Sequence, residues 1–247
     1  MTAELLTMLA AGALAGGFIN GLAGFGTALF ALGFWLQVMP PLQAVAVCVV
    51  LSVASGLQGV WLVRRSILDN RMRLARFLVP GLLGVPLGVA LLAAIDARTL
   101  KLVVAGFLVL YGGFFTARGA LPRFERPTPL VDGAIGFVGG VLGGAASLSG
   151  ALPTMWCSMR PWPKAETRAV LQPYNVAILA LTVAALALGG AYTRETVLLV
   201  LLALPITMLA AQIGIATFKR LGDEAFRRLL IALMLVSGLV LSARELL

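Results

Sequence analysis

The sequence contains no histidine, only ten acidic residues and only two cysteines in 247 positions. Without histidine, and with no cluster of carboxylates, the usual ligands of a zinc or di-iron centre are missing, so no metal and no cofactor is expected. The two cysteines, Cys48 and Cys157, make no disulfide framework, and each lies in an apolar segment where a thiol behaves as a small hydrophobe. Charge as a whole is scarce: 12% of residues are charged against 60% hydrophobic, and the mean hydropathy is +1.01. A soluble domain is only about half apolar, so a water-soluble fold is excluded. Residues 1–19 have neither a basic start nor a small-residue cleavage site, and read as part of the mature protein rather than as a signal peptide.

What is present is apolar and basic. The net charge is +9 and the pI about 10.8, but the lysines and arginines sit in short loops beside apolar runs. They set membrane topology and are not a nucleic-acid footprint. A helix needs about 20 apolar residues to cross a bilayer, and runs at 43–63, 77–95, 100–117, 169–190, 196–218 and 229–243 read as transmembrane helices. Two further apolar regions, 5–39 and 131–159, are interrupted by small residues. One interruption is Asn20-Gly21-Leu22-Ala23-Gly24-Phe25-Gly26-Thr27 and the other Gly143-Gly144-Ala145-Ala146-Ser147-Leu148-Ser149-Gly150. Glycine costs a helix about 1 kcal/mol relative to alanine and permits positive φ, so each cluster is expected to divide its region into two half-helices. A close-packing seam between helices would also use small residues.

Charge bias decides whether the broken regions cross or turn back. If both cross once, the basic residues divide evenly between the two sides. If both are hairpins, fifteen fall inside, including Arg64, Arg65, Arg71, Arg73, Arg76, Arg160, Lys164 and Arg168. Only Arg98, Lys101, Arg194 and Arg244 fall outside, which is the positive-inside pattern. Each half is then a hairpin plus three crossings, an odd number, which inverts the second half relative to the first. A sequence echo at an offset of 123 agrees: Gly16-Gly17 with Gly139-Gly140, Pro40 with Pro163, Ala46-Val47 with Ala169-Val170. The expected fold is therefore an all-α polytopic membrane protein of two inverted-topology repeats, 1–123 and 124–247. Both termini are expected in the periplasm, with the loops near 70, 123, 164 and 222 in the cytoplasm.

Backbone amides opened at a break must face protein or a wet cavity, since lipid cannot satisfy them. The amides that begin the two outgoing half-helices, near Gly24 to Thr27 and Ser149 to Ala151, would carry the partial positive charge of helix N-termini and suit a small oxyanion. Candidate substrate-binding residues are Asn20, Gly24, Gly26, Thr27, Ser147, Ser149 and Gly150 at the breaks, with Ser52, Gln58, Gln172, Tyr174 and Asn175 on adjoining helices. A buried Ser or Asn in a bundle also serves simply to bond a neighbouring helix. Pro173 is expected to kink its span so that Gln172 and Asn175 turn inward. Lys101 and Asp132 lie at span ends and no other Lys, Arg, Asp or Glu falls in a predicted span, so the anion is expected to be held by dipoles and hydroxyls alone. Trp35, Trp61, Trp156 and Trp162 read as interface anchors.

The segments Gly21-Leu22-Ala23-Gly24-Phe25-Gly26 and Leu148-Ser149-Gly150-Ala151-Leu152-Pro153-Thr154 resemble the paired signature regions of the sulfite exporter TauE/SafE family. The stretch from Trp162-Pro163-Lys164 through Arg168-Ala169-Val170-Leu171-Gln172-Pro173-Tyr174-Asn175 is similar to that family as well. The resemblance covers essentially the whole chain and implies a multi-pass transporter of the bacterial inner membrane, moving sulfite, an organosulfonate such as sulfoacetate, or thiosulfate, most often outward. Its partners would be the small anion and the lipid bilayer, and a homodimer stays open. An anion channel with the same site and no alternating access is the alternative function. An enzyme would need ionisable groups at the site, so none is expected. Intramembrane Asp, Glu or His relays are absent, so no side-chain proton path is expected.

Overall fold

A computed structural model describes residues 2–117 and 124–222, together with 224, 225, 228, 229 and 232. Among the described residues there are nine helices and no strand: α1 (Ala3–Ala23), α2 (Thr27–Trp35), α3 (Pro41–Asp69), α4 (Arg71–Ala94), α5 (Ala97–Ala117), α6 (Pro129–Ala146), α7 (Ala151–Ser158), α8 (Lys164–Leu188) and α9 (Arg194–Arg220). Six of these, α1, α3, α4, α6, α8 and α9, are long and apolar enough to cross a bilayer. The chain is thus a multi-pass, all-helical membrane protein. The expected span 229–243 lies almost wholly outside the described residues.

Both interrupted regions turn back on themselves. Trp35 at the end of α2 donates its indole N–H to Leu9 O at 3.3 Å, and Asn20 reaches Thr27 across the tip at 2.9 Å, so α2 runs antiparallel along α1. In the second region Trp156 donates to Asp132 Oδ1 at 2.7 Å, at the base of the α6/α7 hairpin. The arms are not the matched half-helices expected from the sequence: α1 and α6 have 21 and 18 residues, whereas α2 and α7 have 9 and 8. The incoming helix keeps its full length because its glycines are packing surfaces rather than breaks. A Cβ on Gly17 would lie 2.6 Å from Thr207 O, and one on Gly144 would lie 2.6 Å from Val85 O. The seam and the break therefore both exist, at successive positions along the same glycine-rich run.

The packing is reciprocal. α1 packs most extensively on α9 and α6 on α4, so each half lays its hairpin against the long helix of the other. α3 and α8 pack together between them. Element boundaries repeat at the offset of the sequence echo: α1 and α6 end at Ala23 and Ala146, α3 and α8 follow Pro40 and Pro163, and α4 and α9 begin at Arg71 and Arg194. Outward faces carry rows of exposed apolar side chains at helical spacing, such as Val79, Leu83, Leu87 and Leu91 on α4, which is how a lipid-facing helix satisfies its surroundings. Trp35 is an exception to the anchor expectation: it is fully buried, its ring filling the space above Gly12. Trp61 is exposed with Arg64 stacked 4.2 Å from its ring, in keeping with an anchor.

Candidate functional site

The two hairpin tips meet between the middles of α3 and α8. There they enclose a cavity of about 350 Å³, counting its open mouth, walled by both tips together with Ser52, Gly56, Gln172, Asn175, Val176 and Leu179. Each tip ends its incoming helix with a residue in the left-handed region, Gly24 at φ 82° and Ser147 at φ 58°. Glycine adopts this conformation freely, whereas an L side chain is strained in it. The chain then re-enters a helix at Thr27 and at Ala151, and neither α2 nor α7 has a side chain bonding its first-turn amides. Helix starts of this kind leave partial positive charge facing outward from the helix end, although at α7 the Ala151 amide already donates to Leu148 O at 3.3 Å and Pro153 has no N–H.

The polar side chains divide into two groups. Three amides build the walls. Asn20 Nδ2 donates to Thr27 Oγ1 at 2.9 Å, Ser55 Oγ at 2.9 Å and Ser52 O at 3.2 Å, tying the first tip to α3. Asn175 donates to Gly24 O at 3.0 Å and accepts from Ser149 Oγ at 3.0 Å, tying both tips to α8. Gln172 donates to Gly56 O at 3.1 Å, joining α8 to α3. All three are at least 95% buried, so these bonds replace water that the site excludes. The second group has capacity to spare. Ser147 Oγ is buried with no hydrogen-bond partner among the described residues. Thr27 Oγ1 accepts from Asn20 and keeps its own proton to give. Ser52 Oγ has only a long approach of 3.9 Å to Cys48 Sγ. The Cys48 thiol also borders Ser147, without the geometry of a hydrogen bond to it. A buried hydroxyl without a partner is costly, and a ligand oxygen would relieve it.

Ten of the twelve candidate residues therefore line one cavity: Asn20, Gly24, Gly26, Thr27, Ser52, Ser147, Ser149, Gly150, Gln172 and Asn175. The other two point elsewhere. Tyr174 is buried on the opposite side of α8 and donates to Gly136 O at 2.7 Å, and Gln58 donates to Met208 Sδ at 3.4 Å. Helical spacing explains this, because Gln172, Asn175, Val176 and Leu179 share a face that Tyr174, two residues beyond Gln172, cannot join. α8 continues through Pro173.

The expectation of a site remote from any fixed charge is corrected. α8 starts at Lys164, not at 169, so Arg168 belongs to its first turns and is only 3% exposed. Its Nε donates to Gln172 Oε1 at 3.3 Å, and its Nη atoms donate to Gly21 O at 2.8 Å and Leu22 O at 3.4 Å, beneath the first tip. Phe25 is a second residue the sequence reading passed over. It lines the cavity from the first tip, with its Cβ close to Gly150.

Residues 8–241 match the family model described as Sulfite exporter TauE/SafE. The chain has no match among curated proteins or among solved structures.

Proposed function

The chain belongs to the sulfite exporter TauE/SafE family, and on that premise we propose that it carries a small sulfur-containing anion across the bacterial inner membrane through the cavity between the hairpin tips. The observation that carries this reading is the convergence at one buried cavity of two uncapped helix starts and hydroxyls with protons to spare. Such a set offers donors and no carboxylate, which suits an oxyanion and rejects a cation. Sulfite, an organosulfonate such as sulfoacetate, and thiosulfate all present three tetrahedral or pyramidal substituents that several separate donors can share. Export is the direction the family name describes.

Alternating access of two inverted repeats, 1–123 and 124–247, is the transport mode we favour over a channel. Reciprocal packing of α1 on α9 and α6 on α4, with element boundaries recurring 123 residues apart, supports a pseudo-two-fold arrangement. In this reading the loops near 70 and 164 are cytoplasmic, and the substrate binds in the cavity between the hairpin tips. Neutral wall side chains hold the anion by dipoles that strengthen in a dry site, loosely enough for release.

A thermal-shift screen of purified protein against sulfite, thiosulfate, sulfate, taurine, sulfoacetate and chloride tests the reading. A ligand that binds only the folded state adds about 2.7 kcal/mol of stability at a hundredfold excess over its Kd. A sulfur oxyanion is expected at the head of the ranking, and saturable flux of that anion in proteoliposomes is expected to follow. Chloride at the head, or single-channel currents, would overturn it.

A further inference from the structure

We infer that Arg168 is the charge that draws the anion to the cavity, acting from behind Gln172 and the first hairpin tip as a positioning and specificity residue. This rests on the anion-carrier reading above. Among the described residues its guanidinium faces no carboxylate: its three hydrogen bonds go to Gln172 Oε1, Gly21 O and Leu22 O, and its remaining face lies 4.3 Å from the Phe218 ring. It is almost fully buried, and it touches the site through two of the cavity's own walls. Gln172 is one, and Gly24, whose added Cβ would lie 3.7 Å from Arg168 Nε, is the other.

A cation buried in a bundle is costly, and removing water from it without a counter-charge is costlier. Both hairpins close the turn itself with backbone: Gly24 N donates to Asn20 O at 2.7 Å, and Ser147 N to Gly143 O at 2.9 Å. At the position 123 residues before Arg168 stands Val45, an apolar residue buried in the core. The guanidinium is thus an addition on one side of the site only. Two effects follow from its position. It offsets the partial negative charge of the α1 carbonyl end, which would otherwise face the anion, and its own field falls on the cavity through low-dielectric walls. Among the described residues no carboxylate balances the guanidinium, and the anion in the cavity would supply that charge.

An electrostatic role predicts a dependence on substrate charge that a packing role does not. The experiment is sulfite flux into proteoliposomes at matched protein, for the full chain and for Arg168→Gln and Arg168→Lys. It is run in mildly acidic buffer, where sulfite is mainly monovalent hydrogensulfite, and in alkaline buffer, where it is mainly the dianion. Arg168→Gln is expected to raise KM about ten-fold for the monovalent form and about a hundred-fold for the dianion, since the energy scales with ligand charge. Arg168→Lys, which keeps a cation in the acidic buffer and loses the planar fork, is expected to fall between wild type and Arg168→Gln there. An equal change for both charge forms, or a fall in maximal flux at unchanged KM, would overturn the inference and leave Arg168 a structural clamp. If Arg168→Gln does not fold, Arg168→Lys decides: a ten-fold or greater rise in its KM in the acidic buffer, where the ammonium is retained, contradicts the inference. Wild-type protein that carries no sulfite in either buffer would instead defeat the functional reading itself.

Discussion

Gly24 ends α1 and Ser147 ends α6, both in the left-handed region, yet what surrounds the two turns differs. At the first tip the adjoining side chain is Asn20, whose amide is spent on Thr27, Ser55 and Ser52 O, and a buried arginine sits beneath. At the second tip the position corresponding to Asn20 is Gly143, and the turn carries two serines instead, one bonded to Asn175 and one unpartnered. The first tip is braced by side chains and leaves its field to a cation behind it. The second, its turn closed by the same backbone bond as the first, leaves hydroxyls toward the cavity. Two hairpins that turn the chain by the same device can therefore divide the chemistry between them.

The strongest way to break the comparison is to add bulk where the tips touch. A Cβ on Gly150 would fall 2.6 Å from Phe25 Cβ and 2.8 Å from Asn175 Nδ2, so Gly150→Val is expected to reduce sulfite flux below detection. Size-exclusion chromatography checks that the variant remains folded, and wild-type flux from it would show that the tips do not form the site. Gly24→Ala is expected to be nearly as severe, because it meets Gln172 Oε1 and forces an alanine into φ 82°. Asn175→Ala removes a side chain that bonds both tips. It is expected to lower stability by about 1–3 kcal/mol through the unsatisfied Gly24 O and Ser149 Oγ, read as a drop in thermal midpoint.

Smaller effects sharpen the difference between the tips. Ser149→Ala is expected to weaken transport about two- to ten-fold, the loss of one neutral hydrogen bond of about 0.5–1.5 kcal/mol. Ser147→Gly makes the second tip resemble the first, and its two readouts are expected to move in opposite directions. Relief of the left-handed serine raises stability by about 1 kcal/mol, while loss of the spare hydroxyl raises KM for sulfite. A variant that gains stability and keeps its KM would show that Ser147 does not touch the anion.

Much of this was legible in the sequence because the tips are built from residues whose chemistry is local. Glycine and serine clusters in apolar runs announce a break, and Pro40 and Pro163 announce the helices that follow. What escaped depended on tertiary placement. Arg168 falls outside the expected span because a charge ordinarily marks a membrane boundary; its partners, Gln172 Oε1 together with the carbonyls of Gly21 and Leu22, 147 and 146 residues away in sequence, are assembled only by the fold. Trp35 reads as an anchor by composition, but its ring fits the space that Gly12 leaves open. Tyr174 and Gln58 lie near the right residues in sequence and on the wrong face of their helices. The period of 3.6 residues separates Tyr174 from Gln172 without any structure.

The most direct test of the claim that the tips bind an oxyanion is to locate one. Crystals grown with selenite, a heavier analogue of sulfite, and measured at the selenium absorption edge would mark the site by anomalous scattering. The account predicts one buried peak between Ser147 Oγ and Thr27 Oγ1, on the cavity side of Gly150. A buried peak elsewhere, with the space between the tips empty, would contradict it.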